Sequence, residues 1–251
     1  WVRASDGIID AMLTASLAEP GFAPLQHALM AIPALREIYR QSNEELVDVM
    51  PSEPRLLAVA MSALGHTESA EKASVLLERI AEATDSPEDR ARVYESILLG
   101  PGAAALSEKR AELFEAWLAS VSDDSNRALE VASRAAREVP EYAPFWDRAE
   151  ELARELKLPA LVAEAYRVVL SDARRLSEED ILSVGERGVS FQEEWFDDPE
   201  AATLMLRLVI DAVPTAAWAF ERLKLIYNAG ERWDELFTLY DHVIAAQPDD
   251  E

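Results

Sequence analysis

The chain has 251 residues, 49% of them hydrophobic, no cysteine and a formal net charge of -24. That length and apolar content suffice for a sizeable core, as one elongated array or one to two compact domains, and the lack of thiols excludes a disulfide framework or a thiolate metal site. A surface this acidic repels phosphate, so no nucleic acid is expected as a partner, and a basic or apolar protein or peptide suits it better.

In chain order, the sequence starts at Trp1 rather than Met, which suggests a mature or excised form. Ser42-Asn43-Glu44-Glu45 forms a capping box for an early helix. The longest apolar run, Leu56 to Gly65, is about half of what a membrane span needs, so it reads as a buried helix and no membrane insertion is expected. Val75, Leu76, Ile80 and Ala83 then return at helical spacing. Ser86-Pro87-Glu88-Asp89 opens the next helix with a capping hydroxyl, a proline at its first position and acids at the positive end of its dipole.

Leu113, Trp117, Leu118 and Val121 mark a further amphipathic segment. Ser177-Glu178-Glu179-Asp180 and Asp198-Pro199-Glu200 are later start signals. Between them, Gly185-Glu186-Arg187-Gly188 lacks the strand and lysine of a phosphate loop and reads as a helix end. No alternating run argues for a strand, and the punctuation predicts an all-α protein of about 14 helices.

A longer periodicity runs through the second half. Leu236, Tyr240, Val243 and Pro248 are spaced four, three and five, which sets three packing residues on one helix face ahead of a terminating proline. The same spacing returns 34 residues earlier at Ala202, Leu206, Val209 and Pro214, and again at Ala128, Ala132, Ala135 and Pro140. The frame between them keeps Val162, Tyr166 and Val169, with Arg174 in place of the proline. At an offset of 74, Val139, Pro140, Ala143, Arg148, Tyr166 and Val169 meet identical residues at Val213, Pro214, Ala217, Arg222, Tyr240 and Val243.

With Trp218, Leu223, Tyr227, Gly230 at the turn, and Trp233-Asp234-Glu235-Leu236, this pattern resembles the tetratricopeptide repeat, a helix-turn-helix unit of about 34 residues. The resemblance runs from about residue 125 to 251 and departs from the family where Arg or Leu stands at the usual first-helix glycine. It implies an α-solenoid of stacked antiparallel helix pairs in a right-handed superhelix, irregular over residues 1–122 and tetratricopeptide-like over 123–251, continuous throughout.

Catalytic patterns are sparse. His27, His66 and His242 lack paired-ligand spacing, so no metal is expected. The acid pairs Asp123-Asp124, Asp197-Asp198 and Asp249-Asp250 sit beside helix starts or at the chain end, where capping explains them better than the metal-diphosphate chemistry of an all-helical enzyme. The family register instead implies a groove lined by Arg148, Glu151 and Glu155, then Arg187, Phe191, Glu194 and Trp195, then Glu221, Lys224 and Asn228. The groove would be largely acidic, with Phe191 and Trp195 as an exposed apolar anchor if they do not pack in the core.

The expected function is a non-enzymatic scaffold or adaptor that binds a partner protein or peptide in that groove without a cofactor. The alternative is a structural spacer or oligomerisation module of a larger repeat protein, self-associating through its C-terminal repeat.

Overall fold

The computed structural model describes residues 70–82, 84, 86–100, 103–196 and 198–246, and these are helical, with no strand among them. They form ten α-helices and two short 3-10 segments. The expected cap at Ser42, the apolar run Leu56 to Gly65, and His27 and His66 lie outside the described residues. Two compact units divide between Asp123 and Asp124.

The described part of the first unit holds α1 (Ala70–Glu82), α2 (Pro87–Leu99), a 3-10 segment (Ala103–Lys109) and α3 (Arg110–Ser120). Ser86 caps α2 as its sequence predicts, its hydroxyl accepting from the Asp89 amide at 3.3 Å, with Pro87 at the first turn. Arg90 reaches back to donate to the carbonyls of Ala81 (3.1 Å) and Thr84 (2.8 Å), tying α2 to the end of α1. Leu77, Ile80, Tyr94, Ile97, Phe114 and Trp117 fill the core between these helices. Val75, expected on the inward face, is exposed.

The second unit contains α4 (Ser125–Glu138), α5 (Ala143–Leu156), α6 (Ala160–Ser171), a 3-10 turn (Ala173–Arg175), α7 (Glu178–Trp195), α8 (Pro199–Ala212), α9 (Ala217–Ala229) and α10 (Trp233–Ala246). Each helix packs on its successor, and α6 also packs on α4 and on α8. Three of the four frames read from the sequence are buried on these helices, Ala128, Ala132 and Ala135 on α4, Val162, Tyr166 and Val169 on α6, and Ala202, Leu206 and Val209 on α8, whereas in the fourth, on α10, Leu236 is buried, Val243 half-buried and Tyr240 exposed.

Local geometry repeats at an offset of 74. Asp124 caps α4 by accepting from the amides of Asn126 and Arg127, both at 3.1 Å, and Asp198 caps α8 by accepting from Glu200 (3.1 Å) and Ala201 (3.2 Å). Both helices end on a valine of nearly the same conformation, Val139 (φ -135, ψ 64) and Val213 (φ -134, ψ 83), each followed by proline. The corners close alike: the Tyr142 amide donates to Val139 (3.1 Å) and the Ala216 amide to Val213 (3.0 Å).

The hairpins α5-α6 and α9-α10 also match. Lys157 (φ 57) and Glu231 (φ 53) are left-handed, and the amides that follow, Leu158 and Arg232, donate to the carbonyls of Ala153 (3.0 Å) and Tyr227 (2.8 Å). This is the six-to-one bond of a Schellman cap. Gly230, read as the turn residue, has φ -87 and does not supply the left-handed turn. Gly185 and Gly188 correct the sequence reading more sharply, because they lie inside α7 and end nothing. A Cβ on Gly188 would stand 2.7 Å from Met205 Cε and 3.0 Å from the Tyr166 ring, and one on Gly185 would collide with Val209. The two glycines therefore let α8 and Tyr166 approach the backbone of α7.

Candidate partner-binding groove

The expected groove residues lie on α5, α7 and α9, all within the second unit. On α5, Arg148 pairs with Glu151 at 2.5 Å, one turn on, and Glu155 is exposed. On α9, Lys224 pairs with Glu221 at 2.5 Å and stands 5.7 Å above the Phe220 ring. The hydrogen bond to Glu221 holds the Lys224 ammonium above its usual pKa. Asn228 turns its amide onto its own helix, donating to the Lys224 carbonyl at 2.8 Å.

The residues on α7 are engaged with neighbouring helices. Glu194 accepts two bonds from the Arg154 guanidinium of α5, at 3.2 and 2.9 Å, and the first effect of that pairing is to lower its carboxyl below the usual range. Arg187 donates to Glu150 Oε1 at 2.7 Å and to Asp147 Oδ1 at 2.5 Å. Burial opposes its charge, but the bonds to Glu150 and Asp147 outweigh burial and raise its pKa. Glu193 meets Arg222 of α9. Cation-carboxylate pairs thus tie α5 to α7 and α7 to α9 across the face assigned to the groove.

Glu150 anchors the inner part of this network. It is 8% exposed, and the buried Tyr166 hydroxyl donates to its Oε1 at 2.5 Å. Burial first, then this carboxylate, push the Tyr166 hydroxyl well above its ordinary pKa. The tyrosine ring stacks on Trp146 at 4.0 Å with an interplanar angle of 7°, and Phe191 tilts against it at 5.9 Å. The Trp146 indole donates to the Pro140 carbonyl at 2.9 Å, which fixes this stack to the corner between α4 and α5.

The aromatic anchor is therefore corrected in one half. Phe191 is 2% exposed and belongs to the core, because Tyr166 and Trp195 cover its ring. Trp195 is half-buried, 6.2 Å from Phe191, and its indole N–H is buried without an acceptor among the described residues. Asp147, Glu150, Arg154, Tyr166, Glu193 and Arg222 were not assigned to this face from sequence. One had a legible signal: Glu150 stands in the inward series Trp146, Ala149, Ala153, where an acid must find a partner.

Among the described residues no three His, Cys, Asp or Glu side chains gather in a way that could hold a metal, and no helix is long and apolar enough to cross a membrane. Asp124 and Asp198, from two of the acid pairs, are occupied as helix caps. His242 sits on the surface of α10, its Nε2 3.4 Å from the Ile210 carbonyl. No protein-family model and no curated protein matches the chain.

Proposed function

We propose that the chain is a non-enzymatic helical-repeat scaffold, an α-solenoid of stacked helix pairs related in plan to the tetratricopeptide repeats. It binds a partner protein or extended peptide, basic in character, along the acidic face of α5, α7 and α9. The observation that carries this reading is the recurrence, 74 residues apart, of cap, corner and left-handed hairpin residue, with helix packing that skips from α4 to α6 to α8. Units that repeat locally and pack on next-but-one neighbours build extended binding surfaces.

The cross-helix pairs support the same reading. Arg154–Glu194 and Arg187–Asp147 brace neighbouring helices, so the face is held in shape before a partner arrives. Glu155 remains exposed beside them, and Glu151, exposed but shared with Arg148, adds to the negative charge that a Lys- or Arg-rich segment would meet.

The test is co-purification from a native extract by the wild-type chain and by a Glu151→Lys/Glu155→Lys variant. Both positions are exposed, so helicity by circular dichroism should not change. A partner held by wild type and lost by the variant supports the groove; equal retention by both removes it.

A further inference from the structure

The outward side of α10 carries a second apolar stripe. Its inward residues are Leu236 and Leu239, yet Trp233, Phe237, Tyr240 and Ile244 recur at spacings of four, three and four on another face, exposed by 50, 65, 39 and 64%. Together these four side chains present on the order of 400 Å² of apolar surface, a patch of the size that marks an interaction site.

The repeat shows what kind of element covers such a stripe. The positions 74 residues earlier are Pro159, Ala163, Tyr166 and Leu170 on and before α6. There Tyr166 and Leu170 are buried, and α7 lies over Tyr166 with Gly188 against its ring and Phe191 beside it. An amphipathic helix laid as α7 lies on α6 would cover Phe237, Tyr240 and Ile244.

Charge selects among helices. The flank of the stripe carries Asp234 and Asp241, neither of which forms an ion pair among the described residues. The positions 74 residues earlier are Ala160 and Arg167, so these two exposed carboxylates are particular to the α10 stripe and favour a cationic edge on the helix that covers it. A second copy of this chain would add another net charge of -24, and a side-by-side antiparallel pairing of two α10 helices about a two-fold axis would set Asp234 and Asp241 on the same flank as their own images.

We infer that the outer face of α10 is a docking site for an amphipathic helix of another protein, with an apolar side matching Trp233, Phe237, Tyr240 and Ile244 and with Lys or Arg along its edge. This site is separate from the acidic face of α5, α7 and α9 and does not depend on that reading.

The experiment titrates the intact chain, by fluorescence anisotropy, into labelled synthetic 18-residue amphipathic helices sharing one leucine stripe and flanked either by Lys or by Glu. The Lys-flanked helix should bind saturably at one to one, at least tenfold more tightly than the Glu-flanked helix. Phe237→Ser/Ile244→Ser, at positions already exposed, should weaken it at least tenfold with an unchanged thermal melt. Asp234→Asn/Asp241→Asn should narrow the preference between the two peptides.

The Glu151→Lys/Glu155→Lys variant should bind the Lys-flanked helix within twofold of wild type, which separates this site from the acidic groove. Equal binding of both peptides, or affinity untouched by Phe237→Ser/Ile244→Ser, would overturn the proposal. A dimer in sedimentation velocity that Phe237→Ser/Ile244→Ser dissolves would also overturn it and assign the face to a second copy.

Discussion

Two tyrosines at equivalent positions have different environments. Tyr166 on α6 is fully buried, flat against Trp146 at 4.0 Å and hydrogen-bonded to Glu150. Tyr240 on α10 is 39% exposed and meets Phe220, the counterpart of Trp146, edge-on at 5.2 Å. Lys224 stands where Glu150 would be, its ammonium over the Phe220 ring. The chain around them is alike in helix caps, corners and left-handed residues. Local sequence therefore sets where each helix begins and turns, and the helix stacked on top decides whether its tyrosine becomes core.

The widest separation between the two should appear on truncation. Tyr166→Ala removes a fully enclosed ring and leaves Glu150 without one donor, a loss of about 3–5 kcal/mol. Tyr240→Ala removes an edge contact at a half-open site and should cost about 1 kcal/mol. Urea unfolding of both variants measures the difference. Equal losses would mean that Tyr240 is covered in solution and that the contrast is not a property of the free chain.

The next comparison concerns glycine. Gly188→Ala gains helix propensity worth about 1 kcal/mol, but its methyl must displace Met205 and the Tyr166 ring, an overpacking cost of about 1–3 kcal/mol. Net destabilisation is expected. Gly230→Ala, whose new Cβ would come no closer than 3.3 Å to the Ile226 carbonyl, should stay within about 0.5 kcal/mol of wild type. Thermal melts of the two variants decide it. A Gly188→Ala protein as stable as wild type would show that α7 and α8 have room to separate.

These residues also show what could be read from sequence. Pro140 and Pro214 were legible because a proline ends a helix whatever surrounds it, and Ser86, Ser177 and Asp198 because capping is local. Gly185 and Gly188 were misread because glycine favours helix ends and close helix crossings alike, and only the neighbouring Val209 and Met205 distinguish them. Phe191 had the same difficulty: helical spacing identifies its face but not the Tyr166 ring that covers it. The pairing of Arg154 with Glu194 spans 40 residues, and no local pattern announces it.

The finest comparison is between Lys157 and Glu231, where the two regions should behave alike. Both hold a left-handed backbone, φ 57 and φ 53, at the end of α5 and α9. A side chain there costs about 1–2 kcal/mol through Cβ crowding, and glycine removes that cost while adding roughly 0.5–1 kcal/mol of unfolded-state freedom. Lys157→Gly and Glu231→Gly should therefore each stabilise by up to about 1 kcal/mol, and by the same amount within error. Because the hairpin bonds to Ala153 and Tyr227 are made by backbone amides, neither substitution disturbs them. Chemical unfolding of the pair checks this: similar gains mean that the repeated turn is an intrinsic property of the chain, whereas a gain at Lys157 alone would show that the overlying helix reaches into the turn as well as the core.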